Sequence, residues 1–225
     1  MRVLVIGGTG RCGKLVINDL LARGHEVTTL ARNPSAVGPP RSNLTIIKGS
    51  PTSLSDLRSA FTPLPETIIV TLAATRVTDS PFAAPTSAPD FMSNCATHLL
   101  TAMKEFSVHK IVFLQAFGVG DSWKNMHCVL QLFMKKSNLI YGYEDHGRVE
   151  KLIRDSGVNF VLVRPGRFVE SKSVPGQREK EVRIWPNDGK GVPLMASVTR
   201  GSVAGFLVDV AVGKGWDGEA VVITN

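Results

Sequence analysis

Short apolar blocks punctuate the chain, and the stretches between them repeat their apolar residues at helical spacing. The blocks Val3–Ile6, Val27–Leu30, Leu44–Ile47, Ile68–Leu72, Ile111–Leu114 and Phe160–Val163 predict strands. The stretches Lys14–Ala22, Leu54–Phe61, Phe91–Phe106 and Arg148–Asp155 predict helices. From Val182 onward the pattern gives a short strand, a helix near Ser202–Val212 and a terminal strand at Ala220–Thr224. Alternation of this kind predicts an α/β fold with right-handed crossovers. The sheet is expected to be parallel and doubly wound, with Val3–Ile6 central and helices on both faces. At 225 residues the simplest organisation is one domain over 1–225.

Two segments break the rhythm. Pro81 to Pro89 is rich in proline, alanine and serine and reads as a loop at the carboxyl edge of the sheet. Gly118 to Gly142 carries Trp123, Met126, Phe133, Met134 and Tyr141, with a helix expected over Lys124–Lys136. Its aromatic and methionine side chains either complete the core or wall a pocket, because the segment follows a strand end.

The stretch Gly7-Gly8-Thr9-Gly10-Arg11-Cys12-Gly13 lies between the first strand and the first helix. Glycines let backbone approach a pyrophosphate closely, and the helix N-terminus offers N–H groups and a positive dipole end. With a second strand ending at Arg32, this describes a dinucleotide site on a Rossmann-type sheet. An NAD site usually has an acid near Arg32 to accept the ribose 2′-hydroxyl. None follows Glu26 in that strand. Arg32 is either a solvated strand-end arginine or a ligand for a 2′-phosphate, and the second reading favours NADP(H).

Composition narrows the picture. The formal net charge of +7 suits an anionic cofactor, and the dispersed Lys and Arg argue against nucleic acid. No stretch approaches the length of a membrane span, and the first apolar block is too short for a signal peptide. A soluble cytoplasmic protein is expected, without a membrane partner, as a monomer or homodimer. Cys12, Cys95 and Cys128 are far apart, lack metal-ligand spacing and suit a reducing compartment. Cys12 is expected near the cofactor rather than as a nucleophile, at a helix N-terminus of the kind that can lower a thiol pKa.

Later blocks carry a resemblance. They are Leu72-Ala73-Ala74-Thr75-Arg76, then Ala102-Met103-Lys104 with Val108-His109-Lys110-Ile111-Val112, and Asp145-His146-Gly147-Arg148 continuing through Lys151, Leu152, Arg154, Ser156 and Gly157. With these the chain resembles the atypical short-chain dehydrogenase/reductase group, including NmrA-like proteins, and within it the biliverdin-IXβ reductase (flavin reductase) branch. The resemblance implies that Gly7, Thr9, Gly10, Arg11 and Cys12 surround the pyrophosphate and that Arg32 meets the 2′-phosphate. It places Leu72, Ala73, Ala74, Thr75 and Arg76 along the ribose and phosphates. Leu114, Gln115 and Ala116 would lie below the nicotinamide, with Pro165, Gly166, Arg167 and Phe168 as its far wall and His146 close by.

The sequence also departs from that group. Ala116 stands where the family has a serine beside nicotinamide and substrate, and Ser50 stands where an acid is expected near the adenine. The Tyr-x-x-x-Lys pair of typical short-chain dehydrogenases is absent, since Asp145 follows Tyr141 and Gly147 follows Tyr143 at that spacing. Without that lysine a tyrosine lacks the cation that would lower its pKa.

Hydride transfer needs few side chains, because the cofactor carries the chemistry and the protein positions the substrate. His146 is the candidate proton donor, with an ordinary pKa of about 6.5. Asp145 either orients it or caps the helix that follows. Tyr143 either donates a hydrogen bond or packs. Arg167 either binds a substrate carboxylate or cofactor phosphate, or is solvated. Trp123, Arg167 and Phe168 are the candidate substrate contacts. The pocket is expected between the Arg76–Pro89 loop, the Gly118–Tyr143 segment and the Arg167–Val174 loop. The leading expectation is an NADPH-dependent reductase of a planar or polycyclic small molecule. The alternatives are a cyclase or isomerase on this fold, and an NADP-sensing regulator.

Overall fold

A computed structural model describes residues 1–170 and 181–225. Strands β1 (Arg2–Ile6), β2 (Glu26–Ala31), β3 (Leu44–Lys48), β4 (Thr67–Val70), β5 (Lys110–Leu114), β6 (Asn159–Pro165), β8 (Arg183–Trp185) and β10 (Glu219–Thr224) form one sheet. Its order is β3-β2-β1-β4-β5-β6-β10-β8. Every pairing is parallel except that of β8, which closes the far edge antiparallel to β10. Two short strands, β7 (Arg167–Val169) and β9 (Ser197–Thr199), pair in a separate ribbon. That ribbon is too short to register as an apolar block.

Alternation along each strand assigns the faces. Val3 and Val5 point to one side, where helices α1 (Arg11–Ala22) and α6 (Arg200–Val212) bury Ile17, Leu20, Val203 and Leu207. Leu4 and Ile6 point to the other. There α2 (Leu54–Ala60), α3 (Phe91–Glu105) and α5 (Leu139–Asp155) bury Leu57, Leu99, Met103 and Ile153. Central strands buried on both faces read as continuous apolar runs, which is why their positions were legible.

Four boundaries differ from expectation. Leu72 lies beyond β4, which ends at Val70. The segment expected as one helix is a 3₁₀ turn, Gly120–Asn125, followed by α4 (Cys128–Lys136), with His127 accepting from Val129 N–H as the N-cap. Helix α5 begins at Leu139, well before Arg148. Gly142 and Gly147 lower helix propensity there, but packing of α5 on α3 carries the helix through both. The Arg167–Val174 loop is half corrected, since Arg167–Val169 forms β7. Its part from 171 to 174 lies outside the described residues.

Candidate active site

The winding of the sheet reverses between β1 and β4, and the loops leaving these strands border one crevice. Gly7 adopts φ +94°, in the left-handed region that glycine tolerates. A Cβ on Gly13 would meet Gly7 O at 2.2 Å, and one on Gly8 would meet Thr29 Oγ1 at 2.3 Å. The loop is thus packed against backbone at Gly13 and against the Thr29 and Ile17 side chains at Gly8, and excludes side chains at both positions. Helix α1 starts on it with Gly10 as N-cap, no side-chain cap and no acid in the first turn. Its first N–H groups are left for an anion. Thr71, directly after β4, braces the loop by donating its hydroxyl toward Gly7 O at 3.2 Å and Ile6 O at 3.3 Å. The sequence reading passed over Thr71; its signal was a hydroxyl placed at the end of a buried apolar strand. This cradle and its donors fit the pyrophosphate of a dinucleotide.

Thr9 and Arg11 are exposed at this loop. Arg11 pairs with Asp79, Nη1 to Oδ2 at 3.3 Å and Nη2 to Oδ1 at 3.2 Å. The Cys12 thiol is not acidified at this helix N-terminus. Burial raises the thiol pKa and outweighs the opposing Arg200 and Arg11 charges. Arg32 is exposed at the end of β2 and makes no hydrogen bond or ion pair among the described residues. Its charge is felt at Cys95 on α3, whose thiol burial pushes up to about 12. Ser50 donates its N–H to Asp56 Oδ2 at 2.8 Å, and its hydroxyl lies 2.8 Å from Thr52 Oγ1.

After β4, Leu72 and Ala74 pack toward the lower core while Ala73 and Thr75 are exposed. Thr75 is held by Thr86 and Ser87, with hydroxyl distances of 2.7 and 2.8 Å. Arg76 forms an antiparallel bridge with Pro85. The ends of β5 and β6 are zipped together, since Gln115 N donates to Val163 O and Phe117 N to Pro165 O. Leu114 and Gln115 are buried and Ala116 is half-buried. Gln115 Nε2 donates to His146 O at 3.2 Å, whereas its Oε1 is buried without a hydrogen-bond partner. Gly166 N donates to Ile223 O; Arg167 is exposed, and Phe168 lies under the Arg200 guanidinium at 5.1 Å.

On α5, His146 and Tyr143 are three residues apart and share a face, while Asp145 points away from it. Asp145 does not cap the helix that follows, because it lies within α5. Its carboxylate instead receives Met92 N–H at 2.7 Å and the Ser93 hydroxyl at 2.6 Å at the start of α3. His146 stacks edge-on to Phe113, and its Nδ1 is buried without a partner. Burial lowers its pKa to about 4, and the Asp145 charge offsets only part of that. The ring is therefore neutral at pH 7, contrary to an ordinary value near 6.5. Burial raises Tyr143 to about 12, and the ring packs over Gly118, whose Cβ would lie 3.1 Å from Tyr143 Cε1.

The Gly118–Tyr143 segment divides its apolar residues. Met126 and Met134 join Phe117, Trp123, Tyr143 and Trp185 in a small third core. Leu132 and Phe133 are exposed, with Phe82 edge-on to Phe133 at 5.9 Å. Fully buried Arg164 anchors the segment from β6. Its Nη2 donates to Glu150 Oε1 and Oε2 at 2.8 and 2.7 Å, and its Nη1 to Asp121 Oδ1 and to Asn187 O at 3.0 Å.

These features define a dinucleotide-binding protein of the Rossmann type. A family model described as NAD(P)H-binding matches residues 7–212, and the chain belongs to that family. Solved structures share its fold over the whole chain. A Rossmann-fold NAD(P)-binding family protein from Shigella flexneri is 20% identical, with TM-score 0.71 and 93% of that chain covered. A wide-type short-chain dehydrogenase/reductase from Veillonella parvula in complex with NADP is 14% identical, with TM-score 0.79 and 94% covered. ChuY, an anaerobillin reductase from Escherichia coli O157:H7, is 14% identical, with TM-score 0.75 and 97% covered. Among the described residues no helix is long and apolar enough to cross a membrane.

Proposed function

We propose that the protein is an NADP(H)-dependent reductase of the atypical short-chain dehydrogenase/reductase type, acting on a planar or polycyclic small molecule. The observation that carries the cofactor choice is Arg32: exposed, without a partner among the described residues, and ending β2 where an NAD site would place a carboxylate. When bound, the nicotinamide would supply hydride-transfer chemistry toward an electron-poor carbon of the substrate, whose product also needs a proton.

The chain's own residues bind, orient and shield. The Gly7–Gly13 loop and α1 hold the pyrophosphate, and Arg32 holds the 2′-phosphate. Gln115 Oε1 and His146 Nδ1, two buried polar atoms without partners, mark the β5 end as a place where a polar ring substituent is received. His146, neutral at pH 7, serves as a hydrogen-bonding group and leaves proton delivery to solvent. Trp123, Phe168 and Tyr143 supply apolar wall, and Arg167 faces solvent where an anionic substituent would meet it. The names of two fold relatives, one solved with NADP and one called a reductase, support the same reading.

The test is NADPH oxidation, followed by absorbance, with a panel of flavins, tetrapyrroles, quinones and polyketide-like aromatics. Consumption with one member and a reduced product is expected. Product formed without NADPH consumption would replace the reductase by a cyclase or isomerase. NADPH binding without turnover of any member would favour a sensor.

A further inference from the structure

The Thr75–Thr86 segment spans two parts of the site. It is a small hairpin, closed by Val77 N to Ala84 O at 3.0 Å and Thr86 N to Thr75 O at 2.8 Å, with Arg76 Nε on Ser80 O at 3.2 Å. On one side its Asp79 grips both terminal nitrogens of Arg11, the first residue of α1. On the other, Asn138 holds the tip. Asn138 N donates to Pro81 O at 2.9 Å, and Asn138 Nδ2 donates to Phe82 O at 3.0 Å and Ala83 O at 3.2 Å. Phe82 then rests on Phe133 of α4.

We propose that Asp79 is a built-in competitor for the dinucleotide pyrophosphate at Arg11, and that the hairpin carries the exchange to the α4 segment. The inference rests on the reading that the Gly7–Gly13 loop holds the pyrophosphate. Asp79 takes the Nη1–Nη2 edge of the Arg11 guanidinium, and a carboxylate and a phosphate both satisfy that edge with two parallel N–H bonds. The two anions cannot share the same pair of donors. Asp79 also brings negative charge to the start of a helix that has no acid of its own in its first turn. Cofactor binding through that edge therefore includes displacement of Asp79. That displacement removes the hairpin's tie to Arg11 and leaves, among the described residues, those to Asn138 and Phe133. Cofactor occupancy thereby loosens the loop under which substrate is expected to enter, and this favours binding of cofactor before substrate.

The experiment is a double-mutant cycle read by NADPH binding at low ionic strength, with hydrogen exchange as a second readout. An exposed pair is modest and salt-screened. Asp79→Asn is accordingly expected to tighten NADPH about two- to five-fold in the wild-type background. In an Arg11→Ala background it is expected to change little. Hydrogen exchange of the Val77 amide should be faster in Asp79→Asn without cofactor, and faster in the wild type when NADPH is added. Equal tightening in both backgrounds would make Asp79 a general field effect, and an unchanged Kd or exchange rate would remove the competition; either result overturns the proposal. If neither the wild type nor any variant binds NADPH, the pyrophosphate reading itself falls, and the competition falls with it.

Discussion

The Asp145 carboxylate of α5 accepts the Ser93 hydroxyl at 2.6 Å and reaches back along α3 to Met92 N–H at 2.7 Å. One side chain thus supplies the cap that the first turn of another helix lacks, since Asp90 as N-cap makes no side-chain bond. Asp145 has its acceptors committed to α3 and to Arg148, and His146 projects from a different face of α5. Asp145→Ala should therefore lower stability by about 1–3 kcal/mol, the cost of charge-assisted caps. Urea denaturation measures it, and NADPH affinity should be little affected. Loss of NADPH binding with stability intact would give Asp145 a direct role at the cofactor.

Arg164 makes a separate prediction. It is fully buried and holds Glu150, Asp121 and the Asn187 carbonyl from three segments. Arg164→Met leaves the largely buried Glu150 with only the part-exposed Arg154, 2.9 Å from its Oε1, as counter-charge and should cost about 3 kcal/mol. Arg164→Met combined with Glu150→Gln should recover part of that, because the under-compensated buried charge is gone. A double variant as unstable as the single one would mean that the loss comes from packing of the Arg164 stem.

His146 sets a pH dependence with a definite sign. Its folded pKa of about 4 lies below an unfolded value of about 6.5, so the unfolded chain binds the proton first as pH falls. This residue's contribution is fully present above the unfolded pKa. It is lost progressively as pH falls from about 6.5 toward about 4. His146→Gln should flatten the stability profile in that window relative to the wild type. The pH dependence of turnover should likewise show no limb near 6.5 assignable to His146. An NMR titration of the ring with a midpoint near 6.5 would contradict this.

Much of the sheet was legible because its central strands are buried on both faces, as in Val3-Leu4-Val5-Ile6, and helices α1, α2 and α3 follow β1, β3 and β4. The glycine-rich loop between β1 and α1 was legible because a side chain at Gly13 would strike the Gly7 backbone and one at Gly8 the Thr29 and Ile17 side chains. What the sequence hid was long-range. Nothing local in Asp145 reveals that its partners lie at Met92 and Ser93, and Asp79 meets Arg11 only through the fold. Helix α5 was cut short because propensity at Gly142 and Gly147 gives way to packing against α3. The division of the 118–143 segment into buried Met126 and Met134 and exposed Leu132 and Phe133 depended on the turn at Gly120–Asn125 that rotates α4.

The central claim is that Arg32 selects NADP(H), and isothermal titration of the wild type with NADPH and NADH tests it most directly. A charge-assisted contact to the 2′-phosphate is worth about 1.5–3 kcal/mol. NADPH should therefore bind roughly ten- to a hundred-fold tighter, and Arg32→Ala should erase most of that difference while leaving NADH binding unchanged. Equal affinities for the two cofactors in the unmutated protein would contradict the claim.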